Sequence, residues 1–201
     1  MAVVTLRRGV PSGAEWQAAR LYWAAFGRKL GPALNPPEVA VRFLAEQLNA
    51  DRAVCALREG QLVGLAGYQL DGRAFISGSG RSVLRYYGLR GWWRLPLLAL
   101  FTRRPAPEQL VMDGIAVEES ARGLGIGSLL IEEVTAVAAE HDREQVRLDV
   151  IDTNPRARAL YERRGFTAVR TQPTPYLCGL LGFSAVTTMH RPVPPKGPRT
   201  P

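Results

Sequence analysis

The stretch Arg122-Gly123-Leu124-Gly125-Ile126-Gly127-Ser128-Leu129-Leu130 sets three glycines at alternate positions and runs straight into an apolar helical pattern. It follows a strand-like run over residues 110–117, and no other feature restricts the fold as much. A strand, a glycine turn and a helix converge the free N–H groups of the first helical turn and place the positive end of the helix dipole behind them. Glycine is needed there wherever a side chain would hold an anion away from the backbone or φ must be positive. The chain is therefore expected to carry an anion site framed by the strand 110–117 and a helix over 125–140.

Three phosphate-bearing ligands use such a frame. A phosphate loop of the Walker type ends in Gly-Lys-Ser/Thr, and Gly127-Ser128 lacks the lysine. A dinucleotide loop has GxGxxG and an acid about 20 residues further on. Gly125-Ile126-Gly127 and Asp149 supply part of that pattern, but position 130 is leucine and little chain remains for further βα units. The third reading uses more residues. The loop Arg122-x-x-Gly125-x-Gly127 is followed by LDVIDTNPRARALYERRGF, with Asn154, Ala157, Leu160-Tyr161-Glu162 and Gly165-Phe166 in order. Over residues 110–166 the sequence resembles the GNAT superfamily of N-acetyltransferases.

That resemblance implies a GNAT-like acyl-CoA N-acyltransferase fold, an α/β domain with a central mixed sheet flanked by helices. It implies acetyl-CoA as cosubstrate, no metal, and acetyl transfer to a primary amine by direct attack. Residues 122–128, that is Arg122, Gly123, Leu124, Gly125, Ile126, Gly127 and Ser128, are the implied pyrophosphate site. The strands 110–117 and 146–151 are expected to part and admit the pantetheine arm, with contacts from Ile115, Ala116 and Val117 and a distortion at Gly114. Asn154 would cap the next helix and hydrogen-bond the arm. Tyr161 is the implied general acid. Asp113, assigned the same strand parity as Ile115 and Val117, is the candidate base, ahead of Glu108. A non-catalytic acyl-CoA sensor and a dinucleotide-dependent oxidoreductase are the alternatives.

The rest of the chain sets the context. With 201 residues, 46% of them hydrophobic, it suffices for one sizeable core. A single domain is expected over 1–191, with a basic, proline-rich and disordered tail over 192–201. A strand over 3–6, a helix over 14–29 capped by Ser12, a helix over 38–49, and a hairpin of 53–57 with 62–70 should precede the glycine loop. Helix 155–164 and strands 166–171 and 183–190 should follow it. No long uncharged apolar run and no leader pattern are evident, so a cytoplasmic protein is expected. Cys55 and Cys178 lack metal spacing and read as buried thiols. His141 and His190 form no metal constellation.

The net charge of +8 is local. Residues 72–107 hold seven arginines and no acid, interleaved with Tyr86, Tyr87, Trp92 and Trp93, and elsewhere the charges nearly cancel. Almost every basic residue is arginine. This insertion reads as broken helices covering something: a small excursion packed on the sheet, a substrate lid, or a surface for membrane or nucleic acid. Acetyl-CoA and an amine are the expected partners rather than nucleic acid, and stable membrane insertion is not expected. A homodimer through the C-terminal strands stays open, and the sequence does not select the acceptor.

Overall fold

The computed structural model describes residues 3–99, 105–174 and 178–194. Seven strands form one sheet: β1 (Val4–Arg8), β2 (Ala53–Arg58), β3 (Gln61–Gln69), β4 (Gln109–Val117), β5 (Gln145–Ile151), β6 (Thr167–Pro173) and β7 (Ala185–Pro192). Their spatial order is β1-β2-β3-β4-β5-β7-β6, and every neighbouring pair is antiparallel except β4 with β5. This is the expected mixed sheet. It does not suit the dinucleotide alternative, whose doubly wound sheet is mostly parallel.

The helices divide between the two faces. α5 (Ile126–Glu140) and α6 (Pro155–Arg163) pack one face, where Leu130, Ile131, Val134 and Tyr161 join Leu110, Met112, Leu148 and Met189 in the main core. α1 (Glu15–Leu34) packs the other, against Cys55, Leu65, Phe75 and Ala116. α2 (Pro37–Gln47) lies beside α1, and Ala40, Val41, Phe43 and Leu44 make its buried face.

The insertion folds as α3 (Gly80–Tyr87), a 3-10 turn (Leu89–Trp93) and α4 (Arg94–Ala99). These helices rest on α1 and α2, whereas Phe75, near the start of the insertion, packs on the sheet. The Tyr86 and Tyr87 rings lie 5.6 and 6.4 Å from the Phe43 ring, and Arg94 stacks over Tyr87 at 4.2 Å and Trp93 at 4.7 Å. Arg94 donates to the Ala33 carbonyl at 2.8 Å and the Tyr87 hydroxyl donates to the Leu34 carbonyl. Helix ends leave carbonyls without intrahelical partners, and here the insertion supplies the missing donors. Trp92 and Leu89 stay exposed, as do Arg81 and Arg85.

Other expectations need correcting. α1 runs five residues beyond the expected end, through Pro32, and its N-cap is Ala14 with no side-chain cap, because a turn from the Pro11 carbonyl to the Ala14 N–H sets the helix start past Ser12. Cys55 is buried but Cys178, in the one-turn helix α7 (Cys178–Leu181), is exposed. Pro192 closes β7, and the buried Val193 donates its N–H to the Glu144 carbonyl, so the first residues of the expected tail belong to the sheet. Residues 195–201 lie outside the described residues. Among the described residues no helix is long and apolar enough to cross a membrane.

Candidate functional site

The site begins where two strands part company. β4 and β5 pair at Gln109–Gln145, Leu110–Val146 and Val111–Arg147 and nowhere beyond, although β4 continues to Val117 and β5 to Ile151. The parting opens a wedge in the centre of the sheet. On the far edge of β4 the Glu118 N–H donates to the Val63 carbonyl at 2.9 Å. Successive N–H groups of a strand point to opposite edges, so those of Val117 and Ile115 face the wedge. Ala116, between them, turns its N–H to β3 and buries its methyl on the α1 face.

A bulge sets the inner end. Tyr68 pairs with Met112 and Gly67 with Gly114, which leaves Asp113 as the extra residue of β4. The bulge overturns the parity assigned to Asp113. Met112, Ile115 and Val117 all pack toward α5, whereas Asp113 lines cavities beneath α1. Gly114 has φ +153°, and a Cβ there would meet the Phe26 ring at 2.4 Å. Both backbone and packing require glycine at that point. Asp113 still reaches the cleft, but from the opposite face to the one expected.

The glycine loop closes the outer end. Gly125 is the N-cap of α5 in the left-handed region, φ +76°, and a Cβ there would meet nothing within 4 Å. The Arg122 N–H donates to the Glu119 carbonyl and the Ser128 N–H to the Gly125 carbonyl, at 3.2 and 2.9 Å. Neither is therefore an open backbone donor. The N–H groups of Gly123, Leu124, Gly125, Ile126 and Gly127 have no partner among the described residues, and they precede or open a 15-residue helix. Five successive unspent donors at a helix N-terminus fit a pyrophosphate. The Arg122 side chain is mostly exposed, 3.4 Å from the Val117 carbonyl and 3.9 Å from Glu119.

At the bulge lies a cavity of about 270 Å³, walled by Asp113 and Gly114 of β4, Asp149 to Ile151 of β5, Asn154 and Tyr161 of α6, and Phe26, Arg28 and Lys29 of α1. Asn154 Oδ1 accepts from the Ala157 N–H at 3.2 Å and so caps α6. Tyr161 is 7% exposed, its ring 5.8 Å from that of Phe166, and its hydroxyl has no hydrogen-bond partner among the described residues. Burial pushes the phenol up to about 12. Asp149 accepts from the Thr188 hydroxyl at 2.8 Å.

A second cavity of about 330 Å³ shares Phe26, Lys29 and Asp113 with the first and extends beneath α1, α2 and the insertion. The structure thus brings Asp113, Asn154 and Tyr161 together around one cavity, which none of residues 115–128 lines. Glu108 is not among the residues lining either cavity. The contribution of α1, through Phe26, Arg28 and Lys29, was missed by sequence reasoning. A signal existed, since Lys29 is one of two lysines among 26 basic residues. Among the described residues no group of three His, Cys, Asp or Glu could hold a metal.

Comparison with known proteins fits this geometry. The profile of the Acetyltransferase (GNAT) family matches residues 16–166. The chain is 41% identical over 56 residues to the thialysine N-epsilon-acetyltransferase of Bos taurus, which is 28% of this chain and spans about a third (33%) of that curated relative. Two solved structures share the fold. A crystal structure of an acetyltransferase superposes with TM-score 0.63 at 19% identity, over 94% of this chain and 99% of that one. A GCN5-related N-acetyltransferase from Kribbella flavida gives 0.60 at 18% identity, over 94% and 97%.

Proposed function

Because the chain belongs to the GNAT acetyltransferase family, we propose that it takes acetyl-CoA as donor and transfers the acetyl group to a primary amine by direct attack. Acetyl-CoA supplies an acyl thioester: a C–N bond forms, the C–S bond breaks, one proton leaves the amine and one reaches the thiolate. The observation that supports this reading is the row of five unspent N–H donors at the N-terminus of α5, which follows a strand whose unpaired edge offers the N–H groups of Ile115 and Val117.

The residues divide the work. N–H groups 123–127 and the α5 dipole hold the pyrophosphate. Ile115 and Val117 present donors where a strand partner is missing, so that an extended amide-bearing arm pairs there as an added strand would. Asn154 donates from the opposite side. Tyr161 holds a proton on Oη beside the departing sulfur. Its pKa of about 12 against about 8.5 for an ordinary thiol makes that transfer uphill. The apolar surroundings that raise the phenol raise a thiol as well, since both lose a neutral form for an anion, and this narrows the gap. Asp113, where the two cavities meet, accepts the proton of an entering ammonium.

Calorimetric titration with acetyl-CoA, with NAD and dephospho-CoA as controls, tests the cradle. Acetyl-CoA should bind, NAD should not, and Gly125→Glu should weaken acetyl-CoA at least 100-fold in a folded sample. A preference for NAD would sink the reading. Binding without turnover on any amine would favour the sensor alternative.

A further inference from the structure

The larger cavity has a composition that the donor site does not explain. Its polar lining includes Asp113, Lys29, Gln69 and Ser77, and of these Asp113 and Lys29, together with Phe26, also line the smaller cavity. The body is apolar: Phe26 of α1, Phe43 and Leu44 of α2, and, from the inserted segment, Val83 of α3 and Leu98 of α4. We propose that this cavity seats the acceptor, and that the acceptor is a primary monoamine with an uncharged, arylalkyl-sized apolar body. The inference rests on the acetyl-transfer reading above and names the substrate class of that site.

Position comes first. The two cavities share Phe26, Lys29 and Asp113, so a molecule lying among Phe43, Leu44, Val83 and Leu98 meets the donor cavity at those residues. An amine at that end has its body in the apolar part. Charge comes second. Asp113 is the single carboxylate among the described lining residues. A second ammonium further in would lose its hydration with no partner, so diamines, polyamines and polycationic sugars are penalised. Size comes third. An apolar cavity of about 150 Å³ holds benzene, and the volume here, about 330 Å³, accommodates a ring together with a two-carbon amine arm.

The insertion acquires a role in this arrangement. Its helices contribute Val83 and Leu98 to the cavity wall, five residues between Gly72 and Gly78 contribute from its start, and none of its arginines with a described side chain lines the cavity. α3 and α4 therefore set selectivity by shape and apolar surface rather than by charge. Leu98 is only partly buried, so a larger side chain there can project into the cavity without displacing a fully packed core residue.

The experiment is a calorimetric titration of the full chain with 2-phenylethylamine and with spermidine, with and without CoA, followed by turnover of both amines with acetyl-CoA. The inference expects 2-phenylethylamine to bind at least 10-fold more tightly than spermidine. Leu98→Trp should weaken it at least 10-fold while CoA affinity stays within twofold, which also shows that the variant is folded. Leu98→Ala should shift preference toward 2-(1-naphthyl)ethylamine. Spermidine binding as tightly as 2-phenylethylamine, or Leu98→Trp leaving 2-phenylethylamine unchanged, overturns the assignment. If 2-phenylethylamine binds and Leu98→Trp removes it but no acetyl transfer follows, the cavity assignment stands and the catalytic reading fails.

Discussion

At the scale of single residues, Tyr161 is the group on which the chemistry and the physical environment bear most directly. The phenol is buried and carries a pKa of about 12 in the fold, against about 10 in an unfolded chain. The sign follows from linkage: the folded state holds this proton more tightly, so the associated stability is fully present below pH 10 and is lost as pH rises through 12. If Tyr161 is the proposed general acid, loss of its proton should depress kcat only above pH 10. Tyr161→Phe should lower kcat about 100-fold, the low end of general acid contributions, with acetyl-CoA affinity unchanged. Steady-state kinetics on both proteins across pH 6–10, where the wild-type profile should show no decline from loss of this proton, provide the check, and a variant with unaltered kcat would remove Tyr161 from the mechanism. The motif around Tyr161 was legible in the sequence because its residues follow one another on a single helix. The face taken by Asp113 was not. A one-residue bulge reverses strand parity, and the bulge is set by pairing with Tyr68 and Gly67, more than forty positions earlier in the chain.

At the scale of elements, the inserted α3–α4 unit hangs on α1 by few polar contacts. Arg94 is central, with a hydrogen bond to Ala33 and rings on either side. Such contacts combine a charge-assisted hydrogen bond with cation–π stacking, each worth on the order of 1 kcal/mol. Arg94→Ala is expected to destabilise the unit by about 2 kcal/mol and to speed amide exchange in residues 80–99, leaving β1 to β3 as protected as before. Equal acceleration throughout the sheet would mean that the insertion does not open separately. Arg94→Lys should restore only part of the protection, because an ammonium lacks the planar group that stacks. The insertion's broken helical character was readable from Gly88, Gly91 and Pro96. Its docking partners were not, since the extension of α1 through Pro32 depends on donors that arrive from more than fifty residues away.

At the scale of the whole molecule, the sheet is two antiparallel halves, β1 to β4 and β5 to β7, joined by three parallel pairs. α5 adds a brace. Arg8 of β1 meets Glu133 and Glu140 on that helix, and Arg191 of β7 meets Glu132. A donor lying in the wedge would stitch the halves where backbone pairing is missing. Saturating acetyl-CoA should therefore slow exchange in residues 112–117 and 148–151 together with the loop 123–127. Protection confined to the loop would mean that the arm does not lie between the strands. The order of strands and helices was legible because hydrophobic period and glycine punctuation are local. The parting of β4 from β5 is a property of the assembled sheet and leaves no local mark. One further consequence concerns the arginines. Of 26 basic residues only Lys29 and Lys196 are lysine, and Lys29 is the single lysine among the described residues. A guanidinium remains protonated near neutrality and is a poor nucleophile, whereas a neutral amine is what an activated acyl group consumes. Under the proposed reaction, the molecule thus wears nearly all its positive charge in a form that an acyl donor does not consume, and its one described amine side chain, Lys29, stands in the site wall itself.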